Sequence, residues 1–239
     1  MSKEIRKSTQ GKTLSRPNKK RGRKMINKEI KIAIIGAGGI GSNLLDLIAP
    51  SMDRCGIYSS IHLIDDDVVE EKNIGHQKYS IKDVGHSKVK SLATRHSNYE
   101  RVKVVPHEYP LRENKQISDY DILVIAVDRP KPRRIVHDSE VHWLDLRCQG
   151  DGYMVLDNNS SMESISKLTP NHEPTSCQIP GSIEMENIEF GFAIVAAIGA
   201  QWLMQTARSI RGWDTMTPKP QMGSLTHGQF PLPSNGERI

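Results

Sequence analysis

The 239-residue chain predicts an α/β fold, a doubly wound, mostly parallel sheet with helices on both faces. Three observations carry this. The runs Lys31–Ile35 and Asp121–Val127 are almost wholly apolar, as strands covered on both sides are. Strand and helix patterns alternate through the first half, which calls for parallel strands joined by right-handed crossovers. A glycine loop, Gly36-Ala37-Gly38-Gly39-Ile40-Gly41, links the first strand to the first helix.

The elements follow in order. Lys31–Ile35 is the first strand, and Ile40–Ile48 has helical apolar spacing that should stop at Pro50. Ser60–Ile64 is a second strand leading into Asp65-Asp66-Asp67. Ser87–His96 reads as a helix, Val102–Val105 as a strand and Asp121–Val127 as a central strand. Pro132–Val136 starts a short helix. Val141–Leu146 and Tyr153–Leu156 are strands flanking Gly150 and Gly152, and Glu189–Arg211 is a long helix. Residues 158–187 are polar and rich in Ser, Pro and Thr, and are expected to form a long mobile loop. Residues 213–239, rich in Pro and Gly, are expected to be an irregular tail.

The net charge of +5 points to an anionic partner, but its distribution says otherwise. Residues 1–28 hold eleven Lys/Arg and one Glu, with few large apolar side chains, so a disordered basic tail is expected. Residues 29–239, the expected folded domain, carry a net −5. The tail's polybasic block Asn18–Lys24 offers a nucleic-acid patch, an attraction for an acidic protein, or simple solubility. Three cysteines, Cys55, Cys148 and Cys177, cannot build a disulfide framework and fit a reducing, cytoplasmic setting. No CxxC pair exists, so no zinc is expected. The N-terminal charges precede no apolar run, so a secretory signal is not expected. The apolar-rich stretch Phe190–Met204 is too short and interrupted for a membrane span.

In the glycine loop, Gly36 permits a tight turn, Gly38 lets backbone approach a phosphate, and Gly41 lets helix pack on strand. The helix start offers free N–H groups to an anion. Asp65, ending the second strand, can accept hydrogen bonds from ribose hydroxyls. The signal is for a nucleotide and does not separate NAD from ATP. The next residues do more. Asp67, Asn73, His76, Gln77 and Lys88 follow in series, and Asp128 stands at the end of the central strand. Carboxylates and a lysine converging on strand ends suit a triphosphate with magnesium, and hydride transfer has no need of them.

These motifs, G-x-G-x-x-G, D-x-D-x-V-x-x-x-N-x-x-x-Q, V-G-x-x-K and the strand-end aspartate, resemble the ThiF/MoeB family, which includes the ubiquitin-activating enzymes. The likeness covers Lys31 to Asp128 well and continues less closely to about Arg211. It implies a Rossmann-like domain binding ATP-Mg2+. It also implies an adenylyltransferase that activates the C-terminal carboxylate of a ubiquitin-like or sulfur-carrier protein, commonly as a homodimer. By the same resemblance Gly36, Gly38, Gly39 and Gly41 cradle phosphate, Asp65 binds ribose, Asp67, Asn73, His76, Gln77 and Lys88 surround the triphosphate, and Asp128 holds magnesium. Lys88, Asp128 and Cys177 are the catalytic candidates. Cys177 lies in the loop before the last helix, where thioester-forming members carry their nucleophile. A thiolate there suits attack on an acyl-adenylate. Cys148, at a strand end, reads as structural.

The chain departs from the family in two places. His76 stands where the family has an arginine on the phosphates, which leaves a protonated His76, Arg129 or Arg133 to replace it. The family's N-terminal R-Y-x-R-Q element is absent. Two further readings follow: a catalytically weakened nucleotide- or carrier-binding module, and a relative activating a carboxylate linked to tRNA, for which the basic tail would suit RNA.

Overall fold

The computed structural model describes residues 28–171 and 176–233. The expected disordered tail lies outside them, except for Lys28. The strands are β1 (Ile30–Ile35), β2 (Ser59–Ile64), β3 (Val102–His107), β4 (Ile122–Ile125), β5 (His142–Gln149), β6 (Gly152–Asp157), β7 (Gln221–Ser224) and β8 (Gly228–Phe230). The helices are α1 (Gly39–Arg54), α2 (Lys88–Arg95), α3 (Pro130–His137), α4 (Met162–Leu168) and α5 (Gly191–Ile210).

One sheet has the order β3-β2-β1-β4-β5-β6-β7-β8. The strands β1 to β5 are parallel, and β6, β7 and β8 continue antiparallel. The strand order reverses between β1 and β4, which opens a crevice at their C-terminal ends.

Period-two alternation divides the core. Ile30, Ile32 and Ile34 of β1 and Ile122 and Val124 of β4 face α1, α2 and α5. Ala33, Ile35, Leu123 and Ile125 face α3, α4 and the 109–120 connection. These side chains are 0–1% exposed, and each contributes roughly 1.5–3 kcal/mol of burial for the larger aliphatics. Both faces of the central strands are therefore covered, and this is why their sequence runs apolar without alternation.

Three expectations are corrected. The first helix does not stop at Pro50: α1 continues to Arg54. Proline removes one amide donor, but Ala49 and Met52 are fully buried, and that packing holds the last turn on. The 158–187 segment contains α4, started by the Ser161 hydroxyl accepting from Ser164 N–H at 3.0 Å and anchored by Ile165 and Leu168. The 213–239 segment contains the β7–β8 hairpin, which pairs on β6 and so satisfies backbone groups that a coil would leave to water.

Candidate functional site

The glycine loop is shaped by close contacts. Gly36 has φ +101°, and a Cβ there would press on the Ala126 carbonyl beyond β4. A Cβ at Gly41 would collide with the Gly36 carbonyl oxygen. Gly38 differs: a Cβ there would meet no protein atom within 4 Å, so this side of the loop stands open. No side chain caps α1 at Gly38, and a helix start leaves its first N–H groups without intrahelical partners.

Two side chains clamp the loop to the end of β2. The Asp65 carboxylate accepts from Ala37 N–H at 2.6 Å and from Asp67 N–H at 2.9 Å. Tyr79 O–H donates to the Ala37 carbonyl at 2.6 Å. Burial raises the Asp65 carboxyl above its ordinary range, while those two N–H groups and Lys88 pull the other way. Burial, and then the Asp65 charge, raise the Tyr79 hydroxyl, which therefore stays protonated and donating.

Lys88 begins α2 and is 6% exposed. A cation at a helix start opposes the dipole, so it needs an anion nearby. Its ammonium lies 2.8 Å from Asp67 Oδ2, and its backbone N–H donates to the Asp67 carbonyl at 3.1 Å. The carboxylate oxygens of Asp65, Asp66 and Asp67 gather within 4.8 Å.

The loop after Asp67 is tied to α1 by Asn43, whose amide donates to the Gly39 carbonyl at 2.7 Å and the His76 carbonyl at 3.0 Å. Asn73 is buried, and its Oδ1 accepts from Glu70 N–H at 2.8 Å, which fixes its own turn. His76 Nδ1 and Gln77 Oε1 are buried with no hydrogen-bond partner. Buried polar atoms without a partner are uncommon in folded proteins. Burial, then the Lys88 charge, lower the His76 pKa, so the imidazole is neutral at pH 7. It does not replace the family arginine as a cation. Nor does Arg133, whose guanidinium is buried on Asp145 and the Val127 carbonyl. Arg129 is exposed, 4.0 Å from Asp128.

Asp128 follows β4 and its side chain is 47% exposed. Its charge acts on both Arg133 and Cys177. Carboxylates are hard oxygen donors, which suits magnesium, and the Asp65–Asp67 group brings three of them together. The Cys177 sulfur lies 3.6 Å from where a Cβ on Gly39 would sit. Its loop is pinned where Gly150 N–H donates to the Cys177 carbonyl at 2.8 Å. The Gln178 amide also pairs with the Glu189 backbone at 2.8 and 2.9 Å.

The fold thus gathers Gly36, Gly38, Gly39, Gly41, Asp65, Asp67, Lys88, His76 and Gln77 at one set of strand ends, with Asp128 and Cys177 across the loop. Sequence reasoning missed two participants. Asn43 left a faint signal, a polar residue between apolar helix positions 40, 44 and 45. Tyr79 left none. Cys148 packs against the apolar core. A cavity of about 490 Å3 lined by Tyr58, His96, Tyr99 and Arg101 sits at the opposite edge of the sheet and shares no residue with this site.

A family model described as ThiF family matches residues 13–229. The chain belongs to the ThiF family. It is 30% identical over 205 residues to the Arabidopsis thaliana adenylyltransferase and sulfurtransferase MOCS3, covering 75% of this chain and 43% of that protein. It is 32% identical over 125 residues to the Arabidopsis thaliana NEDD8-activating enzyme E1 catalytic subunit, covering 50% of this chain and 26% of that protein. This ThiF-family chain thus spans less than half the length of these relatives. Escherichia coli MccB, solved with ATP, superposes with a TM-score of 0.60 at 16% identity, over 85% of this chain and 64% of that one. The likeness to MccB bears on the fold and agrees with the Rossmann-like architecture. Among the described residues no helix is long and apolar enough to cross a membrane.

Proposed function

We propose that this ThiF-family chain is an ATP-dependent adenylyltransferase that activates the C-terminal carboxylate of a ubiquitin-like or sulfur-carrier protein. One observation carries the reading: the open face at Gly38 is flanked by a buried lysine and strand-end carboxylates, with His76 Nδ1 and Gln77 Oε1 unmet beside it. The α1 N–H groups would hold phosphate, and Asp65 would keep lone pairs for ribose hydroxyls. Lys88 would exchange Asp67 for phosphate oxygens and stabilise charge as pyrophosphate leaves. Asp128 would hold magnesium, which neutralises phosphate charge. The carrier's carboxylate oxygen bonds the α-phosphorus, the bond to the β-phosphate oxygen breaks, and pyrophosphate departs. Cys177 is the acceptor for a following thioester. The relatives named for adenylyl transfer and for NEDD8 activation support this class.

The test is ATP–pyrophosphate exchange with candidate carriers, read together with mass spectrometry of the carrier. Carrier-dependent exchange and a carrier–AMP adduct are expected, with exchange lost in Asp128→Ala. Full exchange in Asp128→Ala would overturn the metal assignment. A thioester adduct should vanish in Cys177→Ala.

One observation favours a second reading. His76 is neutral and Arg133 is engaged elsewhere, which leaves exposed Arg129 as the remaining candidate of the three cations for the phosphates. A weakened binding module would then show ATP-dependent thermal stabilisation without exchange. Homodimerisation is a further proposal, supported by half-exposed Ala193, Ile194 and Ile198 along α5 and tested by light scattering. The three free thiols support a reducing, cytoplasmic setting.

A further inference from the structure

Ala37 is the one residue of Gly36–Gly39 that is not glycine, and it is held on both sides. Its glycine neighbours have many backbone conformations to lose, so the turn needs bonds from outside to fix it. The Ala37 N–H donates to Asp65 Oδ2 at 2.6 Å, and the Ala37 carbonyl accepts from Tyr79 O–H at 2.6 Å. These two bonds fix the peptide planes before and after Ala37. Among the described residues no peptide bond is cis, and in a trans peptide the N–H points opposite to the C=O. Turning the Ala37 carbonyl onto Tyr79 therefore aims the Gly38 N–H away from Tyr79. Gly38 is the glycine whose Cβ would meet no protein atom within 4 Å.

The tyrosine is itself held firmly. It is 6% exposed, with its ring in the apolar core. Its segment is tied to the start of α1: Lys78 N–H donates to Ser42 Oγ at 3.0 Å, and the Asn43 amide spans the Gly39 and His76 carbonyls at 2.7 and 3.0 Å. Residues 76–79 thus form a strap fastened to the same helix start that the glycine loop enters. The hydroxyl stays protonated, so the strap's bond to Ala37 does not come and go with pH.

We propose that Tyr79 is a positioning residue for the nucleotide's phosphates, holding the Ala37–Gly38 peptide so that the Gly38 N–H is presented to a phosphate oxygen. This rests on the reading of the glycine loop as the ATP site. Tyr79 touches no substrate. Its loss should fall on ligands that carry phosphate and spare those that lack it.

The experiment is calorimetric titration of the full-length protein with ATP-Mg2+ and, separately, with adenosine. Tyr79→Phe removes the hydroxyl and leaves the ring in the core. Its melting temperature without nucleotide should fall by only about 2–4 °C, as for one lost hydrogen bond. Its ATP affinity should fall about fivefold, with adenosine affinity unchanged. Tyr99→Phe is the control. It strips a buried-edge hydroxyl 3.2 Å from His96 Nδ1, at the opposite edge of the sheet, and should change neither affinity. Equal weakening of both ligands in Tyr79→Phe would make the residue merely structural and overturn the proposal. An unchanged ATP affinity would overturn it too, as would the same loss in Tyr99→Phe. An ATP-selective loss in a chain that shows no pyrophosphate exchange with any carrier removes adenylyl transfer and keeps the positioning role. Exchange that survives with unchanged ATP affinity in Tyr79→Phe does the reverse. A chain that binds no ATP removes both.

Discussion

Two clusters of charge lie on either side of β4 and are built to opposite ends. At the strand-end crevice the charges are Asp65, Asp67, Lys88 and Asp128, Asp65 is held by backbone N–H groups, and polar atoms of His76 and Gln77 stay unmet. On the other side, Asp145 sits fully buried in β5 and holds Arg133, Arg147 and His137 at once. Arg147 also donates to the Leu168 carbonyl and to Thr169 Oγ1, which ties α4 to the sheet. Burial and then the Arg147 charge depress the Arg133 guanidinium, and burial brings Arg147 to about 10. Of the two arginines that could have served the phosphates, Arg133 is fastening the fold, while Arg129 stays exposed beside Asp128. The comparison teaches that a charge is free for chemistry where its partners are incomplete, whatever the local count of charges.

The largest effect should come from breaking the closed cluster. Asp145→Asn leaves two guanidinium groups buried without their counter-charge, and should cost about 3–5 kcal/mol in urea denaturation. A loss below about 1 kcal/mol would mean that water or a shifted side chain supplies the missing partner.

The same cluster should make stability depend on acid. His137 is 5% exposed and its pKa falls from 6.5 to about 4 through burial and then the charges of Arg147, Arg133 and Arg134. The Asp145 carboxylate, 2.9 Å from Nε2, would raise it, but Asp145 is already shared with two arginines. The unfolded chain binds this proton first. The stability contribution is therefore whole above pH 6.5, falls as the pH drops toward about 4, and levels off below. For this residue the loss is about 3 kcal/mol. His137→Gln should flatten that part of the profile, with urea midpoints at several pH values as the measurement.

At the open cluster the changes should be smaller and should spare the fold. Gly38→Ala meets no protein atom, so melting should move by no more than about 0.5 kcal/mol equivalent, while ATP affinity should fall about tenfold. Gly41→Ala should lose both, because its Cβ strikes the Gly36 carbonyl. Equal loss of stability in the two variants would end the distinction between a ligand face and a packing face. The smallest effect is expected from His76→Arg, which adds a guanidinium beside the unmet Gln77 oxygen. A few-fold gain in pyrophosphate exchange should follow, on the order of 1 kcal/mol for one charge-assisted contact. A fall instead would show that the buried imidazole is needed as it is.

Much of the parallel half was legible in the sequence. Ile30–Ile35 and Ile122–Ile125 announced themselves because two-sided burial needs an apolar residue at every position. The glycine loop did so because Gly36 and Gly41 sit where any side chain would strike backbone. The antiparallel half was less legible. The hairpin β7–β8 carries Gly223 and Gly228 and little apolar alternation, so its pairing is dictated by the β6 edge. Pro50 misled for a related reason: local propensity marks a stop, and the burial of Met52 overrides it.

The sequence by itself determined the family of chemistry, through residues whose type and spacing are dictated locally: a turn that only glycine can make, an acid ending a strand, a lysine starting a helix. It could not say which charges were available. Arg133 and His76 read as candidate cations. Only the tertiary structure decided otherwise, because hydrogen-bond partners and burial come from elements far apart in the chain. Asp145 takes Arg133 away, and desolvation leaves His76 neutral.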